Sequence, residues 1–128
     1  MTLLLDTHVI LWAAYQPERL SAAARALLLD PAHQLCFSVA SLWEVAIKRA
    51  LDRPDFTAEP RSLRAGLLRN GYEELPITGR HCLAVAALPP LHRDPFDRML
   101  IAQSIAEGLT LVTADQRMAD YEAAIRRI

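Results

Sequence analysis

The stretch "DPFDRMLIAQSIAEGLTLVTAD", residues 94–115, holds a helix start, a helix stop and a strand in sequence. Asp94 stands where an N-cap belongs, Pro95 suits the first helical position, and Asp97 falls where a capping-box partner would sit. The apolar run ends at Gly108, and "LTLVT" then reads as a short buried strand. A helix over 95–107 feeding a continuously apolar strand is one half of a βαβ unit, the signature of a parallel sheet. The same two aspartates admit a second reading, in which Asp97, with or without Asp94, holds a metal ion.

The rest of the chain repeats the alternation. "LLLD" (3–6) predicts a buried strand ending on Asp6, and "HVILWAAY" a helix opened by Asp6 or Thr7. "SAAARALLLD" (21–30) predicts a helix capped by Ser21 and stopped before Pro31. "QLCFS" (34–38) is a second strand. "SVASLWEVAIKRAL" (38–51) is a helix whose broad buried face takes in Leu42, Trp43, Val45, Ala46, Ile47 and Ala50. After the breaker region "DRPDFTAEP", a helix is expected around 61–70, closed by Asn70 and Gly71. "YEELPI" predicts a third strand, "TGRHCLAVAAL" a helix capped by Thr78, and "PPLHRDP" a loop. The closing "DQRMADYEAAIRRI" is expected to be helical at least in part. With no repeat, low-complexity tract or linker, the expectation is a single α/β domain over residues 1–128.

Composition narrows the class. Hydrophobic residues make up 52% and charged residues 23%, values of a globular chain with a real core. The N-terminus lacks a basic leader and Asp6 interrupts its apolar run, so it is not read as a signal peptide. No apolar stretch approaches the roughly 18 residues of a membrane span, and a cytoplasmic protein is expected. Cys36 and Cys82 fit no paired ligand spacing and are expected to be small buried hydrophobes without a disulfide. A net charge of −1 gives no global grip on nucleic acid. The arginine-rich basic set, with Lys48 the sole lysine, fits phosphate binding and a GC-rich genome equally well.

The carboxylates carry more. Ligands of open parallel sheets bind beyond the carboxyl ends of the strands. Asp6 and Asp115 follow two of the predicted strands, Glu44 lies in the helix after "QLCFS", and Asp97 opens the helix that feeds the last clear strand. Each has a structural explanation of its own. Asp6 can cap a helix, Glu44 can pair with Lys48 at i+4 or answer Ser41 in a cap, and Asp115 can enrich a first turn capped by Thr113. Caps alone do not require all of them to fall at one rim of the sheet. Crowded carboxylates repel one another, and a hard cation with oxygen ligands, magnesium or manganese, removes that penalty. Phosphodiester hydrolysis by metal-activated water is the chemistry such a site serves. His8 and His92 lie near the expected site, whereas His33 and His81 read as surface or helix positions. Arg93, Arg98 and Arg117 flank the acids and can hold RNA phosphates or pair with those acids. Trp12 and Trp43 read as core or interface residues rather than base-stacking platforms.

In order and spacing, "LLLDTHVILWA", "SVASLWEVAIK", "LPI" and "HRDPFDRMLIAQSIAEGLTLVTAD" resemble the PIN-domain ribonucleases that act as VapC-type toxins of toxin–antitoxin pairs. The likeness covers nearly the whole chain. It implies a small three-layer α/β/α sandwich with a short central parallel sheet. It also implies an endoribonuclease dependent on magnesium or manganese, with Asp6, Glu44, Asp97 and Asp115 as catalytic and metal-binding acids. Thr7 and Thr113 look like supporting polar neighbours, and Asp94, Arg98 and His92 like accessory residues. Within "DPFD" the expectation is that Asp94 caps the helix and Asp97 faces the metal. A homodimer, an RNA substrate and a cognate antitoxin protein inserted into the groove are further implications. Two departures stand out: "LDRPDFTAEP" (51–60) lacks the expected glycine-centred turn, and "YEAAIRRI" lacks a clear final strand.

Other classes remain to be separated. A catalytically inactive PIN-like module that only binds protein would show no dependence on Asp6. A phosphatase using Asp6 as nucleophile, resembling haloacid-dehalogenase-like enzymes, would usually place a second aspartate two residues on, where this chain has His8. Dinucleotide binding fails, because none of the four glycines lies near the first strand.

Overall fold

The computed structural model describes residues 1–121 and 123–128. Five short strands, β1 (Thr2–Leu5), β2 (Gln34–Ser38), β3 (Glu73–Leu75), β4 (Thr110–Thr113) and β5 (Ile125–Arg127), form one sheet in the order β3-β2-β1-β4-β5. Every pairing in it is parallel. β1 is the centre, with Leu4 opposite Cys36 on one side and Leu111 on the other.

Helices cover both faces, which explains why the central strands are apolar throughout. Alternate strand residues serve opposite cores. Leu3, Leu5, Phe37 and Val112 pack with Val9 and Ile10 of α1 (Thr7–Tyr15), Val45 of α3 (Val39–Ala50) and Leu63 and Leu67 of α4 (Pro60–Arg69). Leu4, Cys36 and Leu111 face the other way, onto Leu100 and Ile101 of α6 (Pro95–Glu107), against which α5 (Gly79–Ala87) also packs. α2 (Ala22–Leu29) adds its partly buried Leu27 and Leu28 to the first core. The result is an α/β/α sandwich. Leu4, Leu5 and Leu111 are 0% exposed, so truncating any of them to Ala would cost roughly 2–5 kcal/mol.

Local signals place the helix ends as the sequence predicts. Ser21, Thr78 and Asp94 each cap a helix with the side-chain oxygen, and Gly108 ends α6 at φ 65°; α3 is capped by Ser38, which the sequence did not single out. In the 51–60 segment, Asp52 takes the left-handed conformation at φ 55° that a glycine would otherwise supply. That turn brings Phe56, 3% exposed, back beneath α3.

Three expectations are corrected. The C-terminal segment, expected to be helical at least in part and to lack a clear final strand, is a 3-10 helix over Gln116–Asp120 and then forms β5, an edge strand paired with β4; Glu122 of that stretch lies outside the described residues. Alanine and arginine suggested a helix, but pairing with β4 and burial of Ile125 and Ile128 against opposite cores override that propensity. The buried face of α3 is narrower than expected, since Trp43 is 57% exposed and Ala46 and Ala50 are also exposed. Cys82 is exposed rather than buried, while Cys36 is buried, and both are free. His81, expected at a surface or helix position, lies in the first turn of α5 and is 0% exposed. It closes a capping box with Thr78, and its Nε2 lies 2.8 Å from Glu107.

Candidate active site

Strand order reverses between β1 and β4, so the crevice of this sheet opens at their carboxyl ends. Asp6 follows β1 directly, and its N–H bonds Val112 O at 3.0 Å, tying it to β4. One carboxylate oxygen accepts the Val9 N–H at 3.0 Å, capping α1, and the other accepts the Thr113 hydroxyl. The two readings of Asp6 therefore coexist: it is a cap whose second oxygen faces the crevice. Burial raises its pKa above the ordinary value, although the hydrogen bonds from Thr113 and Val9 oppose the shift.

Glu44 enters from α3 and is 2% exposed. Thr7 donates to its Oε1 at 2.5 Å, and Lys48, one turn on, donates to Oε2 at 2.5 Å. The i+4 pair expected as a structural alternative is thus formed inside the site. The Lys48 ammonium also lies 3.8 Å from Asp94 Oδ2, with the rings of Phe56 and Phe96 at 4.9 and 5.6 Å. Burial alone would lower the pKa of Lys48, but Glu44 outweighs it, helped by Asp94 and Asp97, and the net shift is upward.

Asp94 and Asp97 divide as the helix geometry requires. Asp94 Oδ1 accepts the N–H groups of Phe96 at 2.9 Å and Asp97 at 3.1 Å, so it is the cap. Asp97 points toward Asp115, and His92 Nε2 stands 2.7 Å from its Oδ2 and 3.9 Å from Asp115 Oδ2. Burial first and the neighbouring Asp94 second push the Asp97 carboxyl up to about 6. Asp115 receives its backbone orientation from Thr113, whose hydroxyl oxygen accepts the Asp115 N–H at 2.9 Å. The Arg117 guanidinium grips both its oxygens, at 3.1 and 2.9 Å, and holds its pKa below the usual carboxylate range.

The donor set fits a hard divalent cation. One ligand atom each from His92, Asp97 and Asp115 can be chosen with all three within 4.8 Å of one another. His92 is better understood as the holder of Asp97 than as a ligand. Its Nδ1 accepts the Arg93 N–H at 3.1 Å, which leaves the ring proton of the neutral tautomer on Nε2, aimed at Asp97. The donors that remain are carboxylate oxygens, which suit magnesium or manganese. The N-terminus of α6 adds its positive dipole end to the same spot.

Several other residues move relative to expectation. Arg98 does not reach the acids; it donates instead to the carbonyls of Pro89, His92 and Val85 and to the Tyr121 hydroxyl, pinning the loop before α6. Trp12 is half-buried and lines a cleft with Asp6, His8, Arg19, Asp55 and Asp115. Arg19 and Asp55 were not legible as site neighbours: nothing local marks them, and only the fold brings the 3-10 turn and the 51–60 loop to the crevice.

Residues 3–124 match the PIN domain family. The chain belongs to that family. It is 31% identical to Ribonuclease VapC22 of Mycobacterium tuberculosis over 121 residues, 94% of this chain and 92% of that protein. Among solved structures, this PIN domain superimposes on VapBC2 from Rickettsia felis, bound to a DNA fragment from its promoter, with a TM-score of 0.74. The identity is 16%, and the match covers 99% of this chain and 98% of that one. VapBC-5 from Mycobacterium tuberculosis gives a TM-score of 0.61 at 20% identity, covering 99% of this chain and 97% of that one. The two solved structures bear out the fold, and the curated relative places this PIN domain with the VapC-type proteins.

Proposed function

We propose that this PIN domain is a divalent-metal-dependent endoribonuclease, the toxin of a toxin–antitoxin pair, acting as a single domain over residues 1–128 in the cytoplasm. The observation that carries the reading is the convergence of Asp6, Glu44, Asp97 and Asp115, from four separate segments, on the β1/β4 crevice. Asp97, Asp115 and Asp6 are the residues that would hold magnesium or manganese. The ion, when bound, supplies a water activated at neutral pH and positive charge for the phosphate oxygens. The chain's own groups do the positioning. Thr113 and the start of α1 fix Asp6, Thr7 fixes Glu44, and His92 fixes Asp97. Glu44, buried behind them, is paired with the Lys48 ammonium on the side away from solvent.

The partner calls belong to the same reading. The structural neighbours are VapBC pairs, which supports a cognate antitoxin for this chain. A homodimer would cover apolar side chains left exposed here, such as Leu83 on α5 and Leu91 in the following loop. The test is cleavage of total bacterial RNA by purified protein, with magnesium, with chelator, and as Asp6→Asn. Discrete fragments that vanish with chelator and with the variant are expected. Absence of cleavage by wild type freed of any antitoxin would favour the inactive protein-binding module.

A further inference from the structure

We infer that this chain carries its own second cation: the Lys48 ammonium occupies the Glu44 end of the acid cluster, and the site takes one divalent ion rather than two. The inference rests on the metal-dependent reading and adds to it the number of ions and the residue that sets it.

Paired-metal phosphodiesterases put two ions about 3.5–4 Å apart between carboxylates. Here the acids fall into two groups with different partners. At the outer end, Asp97 and Asp115 offer oxygens within 4.8 Å of each other; Asp97 is met by the His92 imidazole, and Asp115 by the exposed guanidinium of Arg117. At the inner end, Glu44 has one oxygen on Thr7 and the other on Lys48, both at 2.5 Å, at 2% exposure. A cation entering there would have to displace an ammonium already paired with a buried carboxylate. Lys48 is also walled in, at 18% side-chain exposure, between the faces of Phe56 and Phe96 and beside Asp94. It is one lysine among 14 basic residues, the rest being arginine. A compact point charge on a flexible stem fits this position. Lys48 is therefore a positioning residue: it neutralises Glu44 and sets the charge that the outer carboxylates present.

Two measurements read this directly. Manganese titration by calorimetry and electron paramagnetic resonance should give one ion per chain for wild type, with an isolated-ion spectrum. Because Lys48 is the sole lysine, 15Nζ-lysine labelling gives a single ammonium resonance, and that resonance should remain slowly exchanging when the protein is saturated with magnesium. Lys48→Met and Lys48→Gln should raise the stoichiometry from one to two, with spin coupling between the ions, while Lys48→Arg should keep it at one. Two coupled ions in wild type, or release of the lysine signal to its solvent-exposed position on magnesium loading, would overturn the inference without any variant. One ion in both folded neutral variants would equally overturn it, since Lys48 would not be what limits the count. No manganese binding by wild type would remove the metal reading itself, and the inference with it.

Discussion

Glu44 and Asp97 belong to one acid cluster and are held in opposite ways. Glu44 is buried and satisfied by the protein: a threonine hydroxyl on one oxygen, a lysine ammonium on the other. Asp97 is less buried than Glu44, yet burial first and the charge of Asp94 second push its carboxyl up to about 6, against the one imidazole that meets it. The first arrangement is stable without an ion, and the second is uncomfortable until one arrives. Burial alone does not identify the functional acid; what distinguishes the two is which charge the protein has left uncompensated.

The largest effect that comparison predicts is on catalysis. Asp97→Asn should reduce RNA cleavage by on the order of 10²–10³-fold or more, with an unchanged circular dichroism spectrum, because it removes an oxygen ligand and little packing. Cleavage within a factor of ten of wild type would mean that the outer carboxylates are not the working end.

Stability should respond the other way round. Glu44→Gln leaves the Lys48 ammonium, among the described residues, with only the more distant Asp94, and Lys48→Met strands a buried carboxylate; each should cost about 3 kcal/mol in urea unfolding. The double variant should recover a large part of the loss, since the remaining charge is removed with its partner. Additive losses would show that the pair is not coupled, and would weaken the contrast between the two ends.

Next comes the pH dependence of the metal-free protein. Asp97 is raised from 3.8 to about 6, so the folded chain keeps a proton there that the unfolded chain has released. Folding then binds more protons between about pH 4 and 6, and this group makes stability fall as pH rises through that window. At pH 7 the charged Asp97 disfavours the folded state by about 3 kcal/mol. In chelator, Asp97→Asn should therefore unfold at higher urea than wild type at pH 7, and the gap should close toward pH 4. Magnesium should abolish the wild-type deficit. An apo variant less stable than wild type at pH 7 would mean that the His92 contact outweighs the repulsion.

Much of this was legible in the sequence, for reasons that differ by residue. The bounds of α6 at Pro95 and Glu107 were readable because proline, aspartate and glycine act locally, within a turn of where they stand. The placement of Asp6 and Asp115 was readable because both follow strands, and a strand end fixes where the crevice opens. β5 was not, because an edge strand exists only through its pairing with β4, and "IRRI" carries no alternation to announce it. Trp43 misled because spacing says which residues share a helical face, not how wide that face is; it rests edge-on against Phe96, 5.1 Å between centroids, at the surface. Arg98 was placed near the acids by sequence distance, yet loop carbonyls claim its guanidinium. The i+4 spacing gave the Glu44–Lys48 pair. That the pair would sit among the site's carboxylates and beside two phenylalanine rings depended on three other elements.

The smallest predicted effect separates the two aspartates of "DPFD". Asp94 donates no lone pair to the outer cluster in this geometry; its Oδ1 is taken by two N–H groups of the first turn of α6. Asp94→Ala removes the cap and should cost about 1 kcal/mol of stability. It also removes the largest of the three charges that push the Asp97 carboxyl up, so the apo pH dependence should become shallower. Asp94→Asn should retain most of the cap, because its side-chain oxygen can still accept from the same N–H groups. Cleavage should fall less than tenfold in either variant, against the far larger loss in Asp97→Asn. Were Asp94→Asn to abolish cleavage while Asp97→Asn retained it, the roles would be exchanged, and the uncompensated acid of this site would be the one at the cap.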